Sequence, residues 1–123
     1  MCVSFSALAQ QPYPTKPVTF LIPFPPGGGN DIVGRIVANK ISQDLDQRIV
    51  PDNRSGASGN IAIEAVRRAA PDGYTLVVAS TSFSINMYMT KVSYTVADFT
   101  PVAMIGKVPF TLVVAKSIPA MNM

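Results

Sequence analysis

A chain of 123 residues is long enough for one domain with a real core and too short for two ordinary ones. Apolar residues make up 48% and charged residues 14%, an apolar-rich globular composition, and no apolar run approaches the ~18 residues a membrane span requires. The formal charge of +3 suits anions, but no Lys/Arg block forms and the sparse aromatics do not interleave with basic residues, which argues against nucleic acid as a partner.

Val3 to Ala9 is short and apolar, and Ala7-Leu8-Ala9 has the small-x-small pattern that precedes signal cleavage. Residues 1–10 are therefore expected to be a signal-peptide remnant, although the basic n-region and longer apolar core of a complete signal are missing. A free N-terminus with no targeting role is the alternative. Cleavage after Ala9 would leave a mature chain without cysteine, stabilised by packing alone.

Pro12, Pro14 and Pro17 predict an extended entry segment, because proline and the residue before it avoid helix. Val18 to Ile22 is a continuous β-prone run, as expected for a strand covered on both faces. Pro23-Phe24-Pro25-Pro26-Gly27-Gly28-Gly29 stops it. From Asn30 or Asp31 the periodicity predicts a helix with Ile32, Val33, Ile36, Val37, Ile41 and Leu45 on one face and Arg35, Asn39, Lys40, Gln43 and Asp44 on the other. Arg48 to Pro51 predicts a second strand, and Asn53 to Asn60 is a loop of glycine and small polar residues. A helix over roughly Ile61 to Ala70 follows, then turn chemistry at Pro71-Asp72-Gly73 and a third strand over Tyr74 to Ala79. Ser80-Thr81-Ser82 ends that strand, and Phe83 to Met89 predicts a short helix. Two more apolar runs, Val102 to Ile105 and Phe110 to Ala115, flank Gly106 to Pro109, and the second is expected to be a strand. The alternating order of strands and helices predicts an α/β fold with a mainly parallel sheet, right-handed crossovers and flanking helices.

Histidine is absent and Cys2 is the only cysteine. The commonest general base, most zinc sites and thiol catalysis are removed together. A serine nucleophile would need another base, and no Gly-x-Ser-x-Gly elbow occurs. The expectation is a binding protein with no catalytic residues, metal or cofactor.

Pro26-Gly27-Gly28-Gly29-Asn30-Asp31 joins a buried strand to a helix N-terminus, where close-approaching amides and the helix dipole favour an anion. It is neither a dinucleotide fingerprint, since Ile32 stands where the third glycine belongs, nor a nucleotide-phosphate loop. A tight turn in which Asn30 or Asp31 caps the helix fits the pattern equally, and for Asp31 alone capping is the favoured role. Ser80, Thr81 and Ser82 add hydroxyl donors at the third strand end, and Gly56-Ala57-Ser58-Gly59-Asn60 adds a second set of amides. Arg54 is expected to be a solvated loop residue rather than a site charge, and Met87, Met89 and Met104 are expected to serve packing.

Tyr13-Pro14-Thr15-Lys16-Pro17 followed by Ile22-Pro23-Phe24-Pro25-Pro26-Gly27-Gly28-Gly29-Asn30-Asp31 resembles the opening of the Bug family, the substrate-binding proteins of tripartite tricarboxylate transporters. Asp52 to Ile61, Ala70 to Leu76 and Asp98 to Val102 are similar to three further blocks of that family, in the same order. The resemblance implies a periplasmic, hinged, two-lobed binding protein, a monomer when full length, that docks on membrane transporter subunits. It implies that residues 11–115 form the first lobe, that 116–123 begin the crossover, and that the second lobe is missing from this chain. Its ligands would be small carboxylates: dicarboxylates, tricarboxylates, acidic amino acids or aromatic acids. Carried over, the ligand contacts are Phe24, Pro25, Gly27, Gly28, Gly29, Asn30 and Asp31 with Ser80, Thr81 and Ser82, and in addition Ala57, Gly59 and Asn60. Threonine is common in the family where this chain has Asn30. A ligand-sensing role with a sensor kinase is the alternative to transport.

Overall fold

The computed structural model describes residues 12–111 and 113–115. The signal remnant expected over residues 1–10 and the crossover expected over 116–123 lie outside them. In chain order the elements are β1 (Val18–Ile22), α1 (Gly29–Asp44), β2 (Ile49–Asn53), a 3-10 turn at Ala57–Gly59, α2 (Asn60–Arg67), β3 (Thr75–Val77), α3 (Thr81–Met89) and a second 3-10 turn at Val96–Asp98.

The apolar run at the start of the chain becomes the middle of the sheet. β1 pairs in parallel with β2 on one side, Val18 opposite Ile49 and Ile22 opposite Asn53, and with β3 on the other, Thr19 to Leu21 opposite Thr75 to Val77. Val18, Phe20 and Ile22 point toward α1, where they pack with Ile49, Val78 and Ala38, flanked by Val37 and Ile41. Leu21 points to the opposite face, where α2 lies against β1 and β3 and buries Ala62 and Ile63. Val18, Leu21 and Ile22 are fully buried, and each contributes roughly 1.5–3 kcal/mol.

The helices are where expected, but α1 is turned. Its buried residues are Asp31, Gly34 and Ala38, whereas Ile32, Val33, Ile36 and Leu45 are substantially exposed. Close packing explains the difference: a Cβ on Gly34 would stand 3.1 Å from Ile22 Cδ1 and 3.5 Å from Val78 Cγ2, so the small residues set the helix down on the sheet. A sheet only three strands wide then covers one narrow stripe of α1. Similarly, β3 is shorter than expected, Thr75–Val77 rather than Tyr74 to Ala79, and Ser80 does not end it but is the extended residue that opens α3.

Val102 to Ile105 and the described residues of Phe110 to Ala115 have no regular structure, contrary to the strand expected there. Leu112 lies outside the described residues. Composition makes a segment β-prone, but a strand exists only by pairing, and among the described residues β3 is bonded on its β1 side alone. For the same reason Met104, in this unpaired run, is exposed rather than packed, as is Met89 at the end of α3.

At the N-terminal ends of the strands, the 13–17 and 72–74 segments clasp each other. Tyr13 Oη donates to the Gly73 carbonyl at 2.7 Å, the Thr15 amide donates to Tyr74 Oη at 2.9 Å, and Lys16 Nζ lies 4.2 Å from the centre of the Tyr74 ring. This accounts for the Pro-Asp-Gly-Tyr block as a structural device far from the strand C-termini.

Valine at position 34 is expected to push α1 off Ile22 and Val78 and to cost about 1–3 kcal/mol. Urea denaturation of Gly34→Val beside the parent chain measures this, and an unchanged midpoint would refute the close packing.

Candidate ligand-binding site

Because all three strands run parallel, the loops that leave them emerge at one edge of the sheet. The order β2-β1-β3 sends successive connections to opposite sides of β1, so the crevice between the ends of β1 and β3 is a switch point where α/β proteins hold ligands. The three loops meet at Gly59. A Cβ on that residue would lie 3.1 Å from Pro23 Cβ, 3.6 Å from Ser82 Oγ and 3.9 Å from Phe24 Cζ. With φ of +92°, Gly59 also holds a left-handed conformation that a side chain resists.

In the first loop, only Gly27 of the three glycines has positive φ, at +84°. Gly28 is extended and is the N-cap of α1, with its carbonyl accepting from the Asp31 and Ile32 amides at 2.9 and 3.0 Å. The capping role expected of Asn30 or Asp31 therefore belongs to a glycine. The amides of Gly29 and Asn30 head the helix with no acceptor among the described residues. Space beside the loop is open: nothing lies within 4 Å of a Cβ at Gly27 or Gly29, and at Gly28 only the Pro25 carbonyl does, at 3.5 Å.

Asp31 is buried beneath this loop. Its Oδ2 accepts from the Gly27 amide at 2.9 Å, and its Oδ1 accepts from Asn53 Nδ2 at 2.9 Å and Arg35 Nε at 2.8 Å. The Gly27 amide first, then Asn53 and Arg35, hold its carboxyl below the ordinary range against the opposing effect of burial. Asn53 Nδ2 also reaches the Phe24 carbonyl at 2.9 Å. Asp31 thus sets the loop's shape from behind, with its lone pairs already engaged.

Asn60 is engaged in the same way. Its Oδ1 accepts from Asn86 Nδ2 at 2.9 Å and from Tyr94 Oη at 2.7 Å. Ala57 borders a separate hollow of about 580 Å³ outside α2, with Arg54, Ile61, Glu64 and Arg68. Arg54 pairs with Asp52 at 2.9 Å. In the third loop, Ser80 Oγ and Ser82 Oγ are 2.7 Å apart, so one hydroxyl proton serves that bond and the other is left to donate elsewhere.

A cavity of about 1430 Å³ opens between these loops and the 99–110 segment. Phe24, Gly29, Asn30, Ser80, Thr81 and Ser82 line its polar end, while Val33, Val37, Leu76 and Met104 are among its apolar walls. Pro25, Gly27 and Gly28 belong to the loop without lining the cavity. Asn53, Asn86 and Tyr94 were not expected to matter. Their only sequence signal is a polar residue inside or beside an apolar stretch. Among the described residues, no three Cys, Asp or Glu side chains gather to hold a metal ion.

Strand-end loops that present neutral amides and hydroxyls around one crevice make this an α/β fold with a candidate binding site at its switch point. The chain belongs to the Bug/TctC family: the family model described as "Tripartite tricarboxylate transporter family receptor" matches residues 33–123. Protein BugT of Bordetella pertussis is 40% identical over 105 residues, which cover 82% of this chain and 32% of BugT. The chain thus spans about a third of the length of that relative. An adipate-bound protein of R. palustris superposes with a TM-score of 0.54 at 43% identity over 55% of this chain and 23% of its own. MatC of Rhodopseudomonas palustris, with bound malate, gives 0.51 at 40% identity over 53% and 22%.

The depressed carboxyl of Asp31 makes a prediction with a definite sign. Between its folded and unfolded pKa values the unfolded chain binds more protons, so its contribution to stability is present above about pH 4 and is lost as pH falls further. Asp31→Asn is expected to lower stability at pH 7 and to flatten the decline below pH 4. Glu64 and Asp72, also depressed, keep some acid sensitivity in both proteins. Parallel urea titrations at pH 7 and pH 3 measure the difference, and equal losses in both proteins would contradict it.

Proposed function

We propose that this chain is the first lobe of a two-lobed periplasmic solute-binding protein that captures small carboxylates for a tripartite tricarboxylate transporter. The observation that carries the reading is the meeting of three strand-end loops at Gly59, with unpaired amides at Gly29 and Asn30 and a spare hydroxyl proton at Ser80 or Ser82. These donors are neutral, and a carboxylate supplies the charge and the acceptors. Hydrogen bonds to a charged group contribute roughly 1.5–3 kcal/mol each, enough for a few to hold an acid. Malate in MatC and adipate in the R. palustris protein support a dicarboxylate as the ligand class.

The reaction is capture alone. One carboxylate docks on the loops of this lobe, the second lobe closes over the remainder, and the closed form is what the membrane subunits receive. Asp31 takes no part as a base, because each of its oxygens already accepts hydrogen bonds. Phe24, at the junction, supplies an apolar wall that excludes water from one side of the ligand.

Calorimetry on the two-lobed protein with malate, adipate and a neutral sugar is the direct test. Binding of an acid and not of the sugar is expected, and sugar binding alone would refute the proposal. Residues 10–123 by themselves should bind the same acid at least about a hundredfold more weakly, since losing two charge-assisted bonds removes roughly 3–6 kcal/mol. Equal affinity would show that one lobe suffices.

Gly29→Val, at the glycine that lines the cavity, should leave the melting temperature close to that of the parent, because its φ lies outside the left-handed region and nothing stands within 4 Å of a Cβ there. The same branched side chain should obstruct ligand approach and weaken binding by more than about tenfold, or ~1.4 kcal/mol. A variant that binds normally would mean that the glycine loop is only a turn.

A further inference from the structure

We infer that Asn86 and Tyr94 are positioning residues of this site, which hold the 57–59 turn in its left-handed conformation and couple it to α3. The functional half of this inference rests on the binding role proposed above, and the structural half does not.

The turn needs an outside restraint. Ala57 and Ser58 have φ of +47° and +54°, a region that residues with a Cβ occupy only when their surroundings hold them there. Within the turn, the Gly59 amide donates to the Gly56 carbonyl at 2.9 Å. The rest comes from α3. Asn86 Nδ2 donates to the Ser58 carbonyl at 3.1 Å and to Asn60 Oδ1 at 2.9 Å, which fastens the middle of the turn and the first residue of α2 to one amide group. Tyr94 Oη donates to the same Asn60 oxygen at 2.7 Å.

Both residues are placed to act as fixed struts. Asn86 is 5% exposed and Tyr94 4%, so water cannot readily replace their bonds. The Tyr94 ring stacks on Phe83 at 5.5 Å and meets the Phe99 ring edge-on at 5.8 Å, which leaves its hydroxyl little freedom. This gives the Asp98-Phe99 block a role: its aromatic ring braces the strut.

The geometry has a consequence for the site. The first turn of α3 carries Ser82, whose hydroxyl lies beside Gly59, and the same helix carries Asn86 one turn later. One rigid element therefore presents the third loop and holds the second. Asn86 touches no ligand in this scheme; it sets where Gly59 and Ser82 stand relative to each other.

Three variants of the two-lobed protein test this. Asn86→Asp replaces two donors with oxygens that face two acceptors. Tyr94→Phe keeps the ring packing and deletes one donor, which provides a milder change should Asn86→Asp fail to fold. Ser84→Ala, at an exposed position of α3 outside the network, serves as the control. Amide hydrogen exchange at residues 57–60, relative to β1, and malate and adipate affinity are read in parallel. In Asn86→Asp, exchange at 57–60 should quicken by about tenfold or more while β1 is unchanged, with a matching loss of affinity. Tyr94→Phe should move both in the same direction by less, and Ser84→Ala should resemble the parent.

Unchanged exchange in both Asn86→Asp and Tyr94→Phe would overturn the inference, as would faster exchange with unaltered affinity. Should the parent bind neither acid, the binding role fails, and the exchange comparison still decides whether the two residues hold the turn.

Discussion

The Asp31 carboxylate stands where the first loop, α1 and the end of β2 come together, and it bonds to all three. A buried charge without partners would cost several kcal/mol, so the surrounding donors must be in place whenever the chain is folded. Those donors are the Gly27 amide, the Arg35 guanidinium and the Asn53 amide, and Asn53 in turn fixes the Phe24 carbonyl. The mobility expected of three consecutive glycines is thereby suppressed at one end. Gly27 supplies the turn, Gly28 the cap, and Gly29 the open approach. The ladder between β1 and β2 continues past the strand, through the Arg54 amide to the Ile22 carbonyl at 2.9 Å, so the second loop starts from a fixed point as well.

This arrangement separates charge from recognition. Lys16, Arg35, Lys40, Arg54, Arg67 and Arg68 each have a carboxylate partner within the lobe. What the strand-end loops present to the crevice is a set of neutral donors, ordered by backbone geometry, while Arg67, Asp98 and Lys107 also line the cavity. A carboxylate at the loops would meet dipoles already oriented toward it.

How far residues alone reveal this depends on the kind of constraint. β1 is readable because a five-residue β-prone run, apolar but for Thr19 and flanked by prolines, has one use in an α/β order. The glycine loop and α1 were readable because a strand, a glycine tract and a helical period follow one another. The face that α1 buries was not, since hydrophobicity ranks Ile32 and Ile36 above Gly34 and Ala38, while close approach to a flat sheet ranks them the other way. Asp31 and Asn60 have the polarity of ligand contacts, and only their long-range partners, Asn53, Asn86 and Tyr94, show that they act inside the fold. The Phe110 to Ala115 run has the composition of a strand, and its described residues have no strand partner among the described residues.

The three loops are also linked pairwise, and that bears on how one lobe could be ready for a ligand. Asp31 and Asn53 bind the first loop to β2, from which the second loop departs. Asn86 binds the second loop to α3, which begins with the third, and Tyr94, beyond the end of that helix, stacks on its Phe83 and holds Asn60. No loop is therefore free to shift alone: moving Gly59 disturbs Pro23, Phe24 and Ser82 together. Ordering a flexible loop on binding costs free energy that is subtracted from affinity, and prior ordering avoids that cost. In this chain the ordering is done by buried polar contacts behind the loops, which leaves their outward amides and hydroxyls unengaged. The residues that shape the site and the residues that would touch a ligand are thus different sets. Substitutions in the first should act on affinity through loop order, and substitutions in the second through direct contact.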